Sequence, residues 1–182
     1  MQARIGDWIQ TYGGKQFWPL DPRPEDIDLV DIAHALSMLC RFTGHTKRFY
    51  SVAEHSVHVS MRCAPTDALW GLLHDASEAY LVDLARPVKR QPQMSAYRDA
   101  EASVMRAVCA HFGLPSIEPR SVKEADNRML YTEARDLMAP VHPKWTWAAE
   151  PYPDLEIVGA EPAAAKVMFL ERFVELSGGR HV

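Results

Sequence analysis

The chain has 182 residues, 47% hydrophobic and 24% charged, which excludes disordered, collagen-like and coiled-coil classes and suits one globular domain with a real core. A formal charge of −4 offers no electrostatic footprint for gripping a nucleic-acid polymer, although a few local cations suffice to hold a small anion. Three cysteines (Cys40, Cys63 and Cys109) without C-x-x-C spacing argue against a disulfide framework or a thiolate zinc site, and they fit a reducing compartment. With no apolar run of membrane-spanning length and no signal-peptide stretch, the expectation is a cytoplasmic protein without a membrane partner.

In chain order, residues 1–27 combine Trp8, Tyr12, Phe17 and Trp18 with Pro19, Pro22 and Pro24, and they predict an extended arm or small hairpin over the main body. From Asp28 the apolar residues Leu29, Ile32, Ala33, Leu36 and Leu39 recur at helix spacing, to an end near Arg41. Ser51-x-x-Glu54 fits a capping box and opens a second helix; Pro65 and Thr66 open a third, with Leu69, Leu72, Leu73 and Ala76 as its buried stripe. Residues 81–94, with two prolines and several cations, predict a loop. A fourth helix runs from Ser95 to a glycine cap at Gly113. Ser121-x-x-Glu124 repeats the capping-box signature at the head of a fifth helix reaching about Met138. Residues 139–160 predict a long ordered loop rich in proline and tryptophan, and a last helix runs from about Pro162 to Gly178. Strand signals are nearly absent, so the fold class is all-α: a compact bundle of about six helices forming a single domain over residues 1–182.

The third helix places His74 and Asp75 directly after Leu72-Leu73, with Glu78 following. On a continuous helix the three side chains fall within a sector of roughly 100°. An imidazole and two carboxylates on one face suit a hard or borderline divalent ion, although a lone His-Asp pair is more often structural. Two other helices offer further ligands, His55 early in the second and Asp126 early in the fifth. Each has a competing reading. His58 lies three residues from His55, and an aspartate in a helix's first turn also suits the helix dipole. His34, among apolar neighbours, reads as a core histidine, Glu54 as a capping residue, and Arg86, Lys89 and Arg90 as a solvated charge run. No G-x-x-x-x-G-K-[ST] loop is present, which excludes a kinase or motor-type NTPase.

The order His55, His74-Asp75, Asp126 over separate helices resembles the signature of the HD phosphohydrolase superfamily. Glu54-His55-Ser56, His74-Asp75-Ala76-Ser77-Glu78, Asp83-Leu84 with Pro87-Val88-Lys89, and Ala125-Asp126 resemble the HD-type 5′-deoxynucleotidases, a frame shared by the small phage dNTP triphosphohydrolases. Arg41-Phe42 is similar to that family's arginine-aromatic pair, with phenylalanine where relatives often carry tryptophan. The resemblance implies His55, His74, Asp75 and Asp126 as ligands of one divalent transition ion (Zn, Mn, Fe, Co or Ni, with Mg conceivable for a triphosphate substrate). It implies Glu78 and Asp83 as catalytic acids, Arg41 and Lys89 on phosphate oxygens, and Phe42 against base or sugar. The implied activity is hydrolysis of deoxynucleoside 5′-monophosphates by a homo-oligomer. The alternatives are a triphosphohydrolase on the same site and, from another class, a non-catalytic nucleotide-binding module.

Overall fold

The computed structural model describes residues 4–178. The chain is all-α apart from one hairpin, in which β1 (Ile9–Gln10) pairs antiparallel with β2 (Gln16–Phe17), Ile9 opposite Phe17. The six expected helices are α1 (Leu29–Met38), α2 (Val52–Arg62), α3 (Ala68–Leu73), α6 (Ser95–Phe112), α7 (Arg120–Leu137) and α8 (Pro162–Ser177). Two short ones, α4 (Glu78–Leu81) and α5 (Arg86–Lys89), add to them. The expected loop over 81–94 is therefore partly helical, because Pro87 pre-sets a helical turn and Arg98 gathers the carbonyls of Lys89 and Gln91 at 2.6 and 2.8 Å.

Helix α1 begins where the sequence predicts, on the Asp28 carboxylate, which accepts from the Val30 and Asp31 N–H groups. It stops before Arg41. The backbone there turns to pair with the segment ahead of α2, Arg41 N–H donating to Tyr50 O and Val52 N–H to Leu39 O. Arg41 enters a tight turn, Arg41–Gly44, in which Phe42 and Thr43 both have φ of 54°. Ser51 caps α2 by accepting from Glu54 N–H, but the Glu54 carboxylate accepts from Ala160 N–H at 2.7 Å, so it anchors the end of the long loop and does not close a capping box. The Ser121 box does not form either. Helix α7 starts at Arg120, and the Ser121 hydroxyl donates to Asp67 ahead of α3.

The largest departure from the sequence reading is in the third helix, which ends at Leu73. His74 Nδ1 lies 2.8 Å from the Gly71 carbonyl, the group that an α-helix would give to the N–H of residue 75. The chain tightens to three-residue bonds from Ala76 N–H to Leu73 O and from Glu78 N–H to Asp75 O, then resumes as α4. Gly113 and Gly178 cap α6 and α8 in the left-handed conformation, as the sequence predicts.

Helix α2 is buried along most of its length and divides the core. On one side Val52, Ala53 and Val57 pack with Ile32 and Leu36 of α1 and with Phe169 and Phe173 of α8; on the other Val59 packs with Val122 and Met129 of α7. The hairpin is pinned by Phe17, fully buried and stacked on Tyr80 of α4 with ring centroids 3.8 Å apart. The 139–160 loop is ordered as expected. Arg135 donates to Tyr152 O and Leu155 O, Asp136 accepts from Ile157 N–H, and Tyr152 and Ile157 are buried. Among the described residues no helix is long and apolar enough to cross a membrane.

Two outcomes follow from these contacts. A Cβ on Gly71 would lie 2.8 Å from Cys63 Sγ and 3.2 Å from Ser60 Cα, so Gly71→Ala is expected to force α3 away from α2 and cost about 1–3 kcal/mol in denaturant unfolding. Against the cost of burial, Lys15 and two backbone N–H groups hold the Asp28 carboxyl below its ordinary 3.8. A carboxyl depressed in the native state stabilises above its unfolded pKa and loses that effect as the pH falls. Asp28→Ala is expected to lose about 1 kcal/mol at neutral pH, and its gap from the parent chain should narrow in melts below pH 3.8.

Candidate metal centre

Three elements converge. His55 comes from α2, His74 and Asp75 from the turn after α3, and Asp126 from α7. His55 Nε2 lies 3.2 Å from His74 Nε2, 3.6 Å from Asp75 Oδ2 and 3.5 Å from Asp126 Oδ1; His74 Nε2 lies 3.2 Å from Asp75 Oδ2. One donor atom from each of His55, His74 and Asp75 falls within 4.8 Å of the others, so this group could hold a metal ion. Ligands about 2.1 Å from an ion stand roughly 3 Å apart, which is the spacing seen. Asp126 adds a carboxylate on the His55 side.

Both imidazoles are oriented from behind. His74 Nδ1 donates to Gly71 O, and His55 Nδ1 donates to Glu133 Oε1 at 2.5 Å, so each ring turns Nε2 toward the other. Two facing nitrogens beside two carboxylates favour a positive charge between them. Burial and the Arg41 charge oppose protonation of His55, but Glu133 and Asp126 outweigh them and push its pKa up to about 9. Despite burial, His74 and His55 hold Asp75, and His55 and His74 hold Asp126, well below the usual carboxylate range.

Glu133, which the sequence reading passed over, organises this back wall. It is fully buried, accepts from Arg41 Nη2 at 2.8 Å and from the Tyr50 hydroxyl at 3.0 Å, and is held at about 2 against burial by Arg41 and His55. A signal did exist: residue 133 is two turns after Asp126, about 20° out of register with it on the same face of α7, and it sits in the apolar stripe of Ala125, Met129 and Ala134.

The other expected residues divide into two groups. Glu78 and Lys89 line a groove of about 330 Å3 together with His74, Asp75, Lys123 and Asp126. Although the helix break removes the continuous face predicted for it, Glu78 remains beside the cluster. It is 5% exposed, its Oε2 has no hydrogen-bond partner, and burial followed by the charges of Asp75 and Asp83 raises its pKa well above the ordinary value. Asp83 is half-buried and shifted upward by burial and Asp75. Lys89 is engaged by Glu101 at 2.5 Å, while Lys123 and Arg86 approach Asp126 Oδ2 at 3.4 and 3.9 Å. Arg41 and Phe42 are not part of the groove lining. Arg41 lies behind Asp75, 3.7 Å from its Oδ2, with the Phe42 ring 5.5 Å from its guanidinium carbon. Of the competing histidines, His58 turns to Glu54 at 3.7 Å and His34 stacks on Tyr12.

No protein-family model matches the chain. It is 39% identical over 173 residues to the uncharacterized protein YfdR of Escherichia coli K12, covering 93% of this chain and 96% of YfdR. It is also 36% identical over 143 residues to an uncharacterized protein of Rhodobacter capsulatus, covering 71% and 72% of the two chains.

The dependence of His55 on Glu133 is directly testable. Glu133→Gln keeps the shape but leaves Arg41 a buried charge without its partner, and a destabilisation of about 3 kcal/mol is expected. Calorimetric titration with Zn or Mn should show affinity lower by about 10–100-fold. Parental affinity would mean that His55 is oriented without the carboxylate.

Proposed function

The chain belongs to the family of the Escherichia coli protein YfdR, and we propose that it is a metal-dependent phosphohydrolase of small nucleotides, cleaving the phosphate ester of deoxynucleoside 5′-monophosphates. The observation that carries this reading is the convergence of His55, His74 and Asp75 beside a buried Glu78 oxygen that has no partner of its own. The donor set is two imidazoles and a carboxylate, with Asp126 as the fourth ligand, which suits Zn, Mn, Fe, Co or Ni. Such an ion supplies Lewis acidity toward a phosphate oxygen and lowers the pKa of water.

The chain's own residues supply the rest. Glu78, outside the ligand group, accepts a proton from the attacking water, and burial with the charges of Asp75 and Asp83 makes it a stronger base than an ordinary carboxylate. Asp83, displaced in the same direction, is the second acid. Lys89 and Lys123 at the groove hold phosphate oxygens. Arg41, committed to Glu133, contributes positive charge from behind Asp75. Phe42 lies outside the groove lining, and a contact with base or sugar remains its proposed role.

The reading stands or falls on a panel of nucleotides incubated with Mn, Co, Ni, Zn and Mg. Free phosphate from deoxynucleoside monophosphates is expected; inorganic triphosphate from dNTPs would reassign the scissile bond, and no product with any pair would end the enzyme reading. Glu78→Gln is expected to lower kcat by about 10²–10⁴-fold with metal content unchanged. Loss of metal as well would make Glu78 a ligand.

A further inference from the structure

A second cavity of about 300 Å3 lies between the hairpin, α1 and α4, and none of its lining residues lines the metal groove. Its walls are the rings of Tyr12, His34 and Tyr80 and the aliphatic side chains of Ile9, Ala35 and Ala79. Gln10, Thr11 and Asp31 complete the lining, and Asp31 is only 3% exposed. Its Oδ1 accepts from Gly13 N–H at 2.5 Å, and its Oδ2 is buried without a hydrogen-bond partner.

A carboxylate oxygen held out of water without a donor is costly, and the nearest cations do not relieve it. Lys15 is committed to Asp28 at 2.7 Å, and Lys166 stands over the Tyr12 ring, 4.2 Å from its centroid. Burial and Lys166 lower the pKa of His34 against the opposing charge of Asp31, so the imidazole is a weaker cation than usual beside the carboxylate. A negative group within aromatic walls selects a cation and rejects an anion. With Oδ1 accepting from the Gly13 N–H, Oδ2 is the oxygen left without a donor, and a single-point ammonium matches it better than a forked guanidinium.

We propose that this cavity binds a small primary amine in its ammonium form, the nitrogen donating to Asp31 Oδ2 and a compact apolar body lying among Tyr12, Ala35 and Tyr80. The site is independent of the metal centre and of the proposed hydrolysis.

Titration of the full chain with benzylamine, followed by NMR or calorimetry, tests this. Saturable binding is expected with Kd on the order of 1 mM or tighter. Benzyl alcohol, of the same shape without the charge, should bind at least about tenfold more weakly, and benzoate should not bind. Asp31→Asn keeps Oδ1 for Gly13 and should weaken benzylamine about ten- to hundredfold. Ala35→Met fills the cavity from α1 without altering the carboxylate and should abolish binding; it decides the matter alone if circular dichroism shows Asp31→Asn unfolded. No benzylamine binding, equal binding of benzyl alcohol, or full binding by the folded variants would overturn the proposal.

Discussion

A single carboxylate, that of Glu133, is shared by a histidine, an arginine and a tyrosine where water does not reach. Buried charge of this kind is tolerated only when each lone pair has a donor, and here α2, the turn after α1 and α7 each supply part of the set. The consequence is geometric. Arg41 cannot approach its carboxylate unless the chain leaves α1 early and turns back against Tyr50, and His55 cannot donate to it without presenting its other nitrogen to His74. The candidate centre is thus the front face of a network whose back face holds three helical segments in register.

The second constraint is the close approach of α3 to α2. Only a residue without a Cβ fits at position 71, and the carbonyl of that same residue receives His74 Nδ1. Packing and ligand orientation are therefore set at one position. The helix ends two residues later at Leu73: the imidazole sits on the Gly71 carbonyl, the backbone tightens to three-residue bonds, and Asp75 and Glu78 both line the groove.

Much of this architecture is readable from local chemistry. Ser51 as a cap, Pro162 as a first helical residue and the glycine stops at 113 and 178 are each decided by neighbours within one turn, so the sequence announces them. The meeting of His55, His74 and Asp75 was legible only through the resemblance of their order along the chain to a known signature, because a lone His-Asp pair is more often structural. What escaped were partnerships across long separations. Ser121 looks like a cap until Asp67 claims its hydroxyl, Glu54 looks like half of a box until Ala160 claims its carboxylate, and Glu133 looks like one more charge on a polar helix until Arg41 and His55 meet it. A polar side chain has several possible partners, and the tertiary fold chooses among them.

The stacking of Phe17 on Tyr80 gives the N-terminal arm a standing that its position in the chain does not suggest. Tyr80 belongs to the same short turn as Glu78, a helix too brief to hold itself together without tertiary support. The hairpin is therefore a buttress for the turn that carries Glu78, in place of an ornament on the surface. Trimming or fusing the chain ahead of α1 is then an intervention at the groove, because it removes the mechanical footing of that turn.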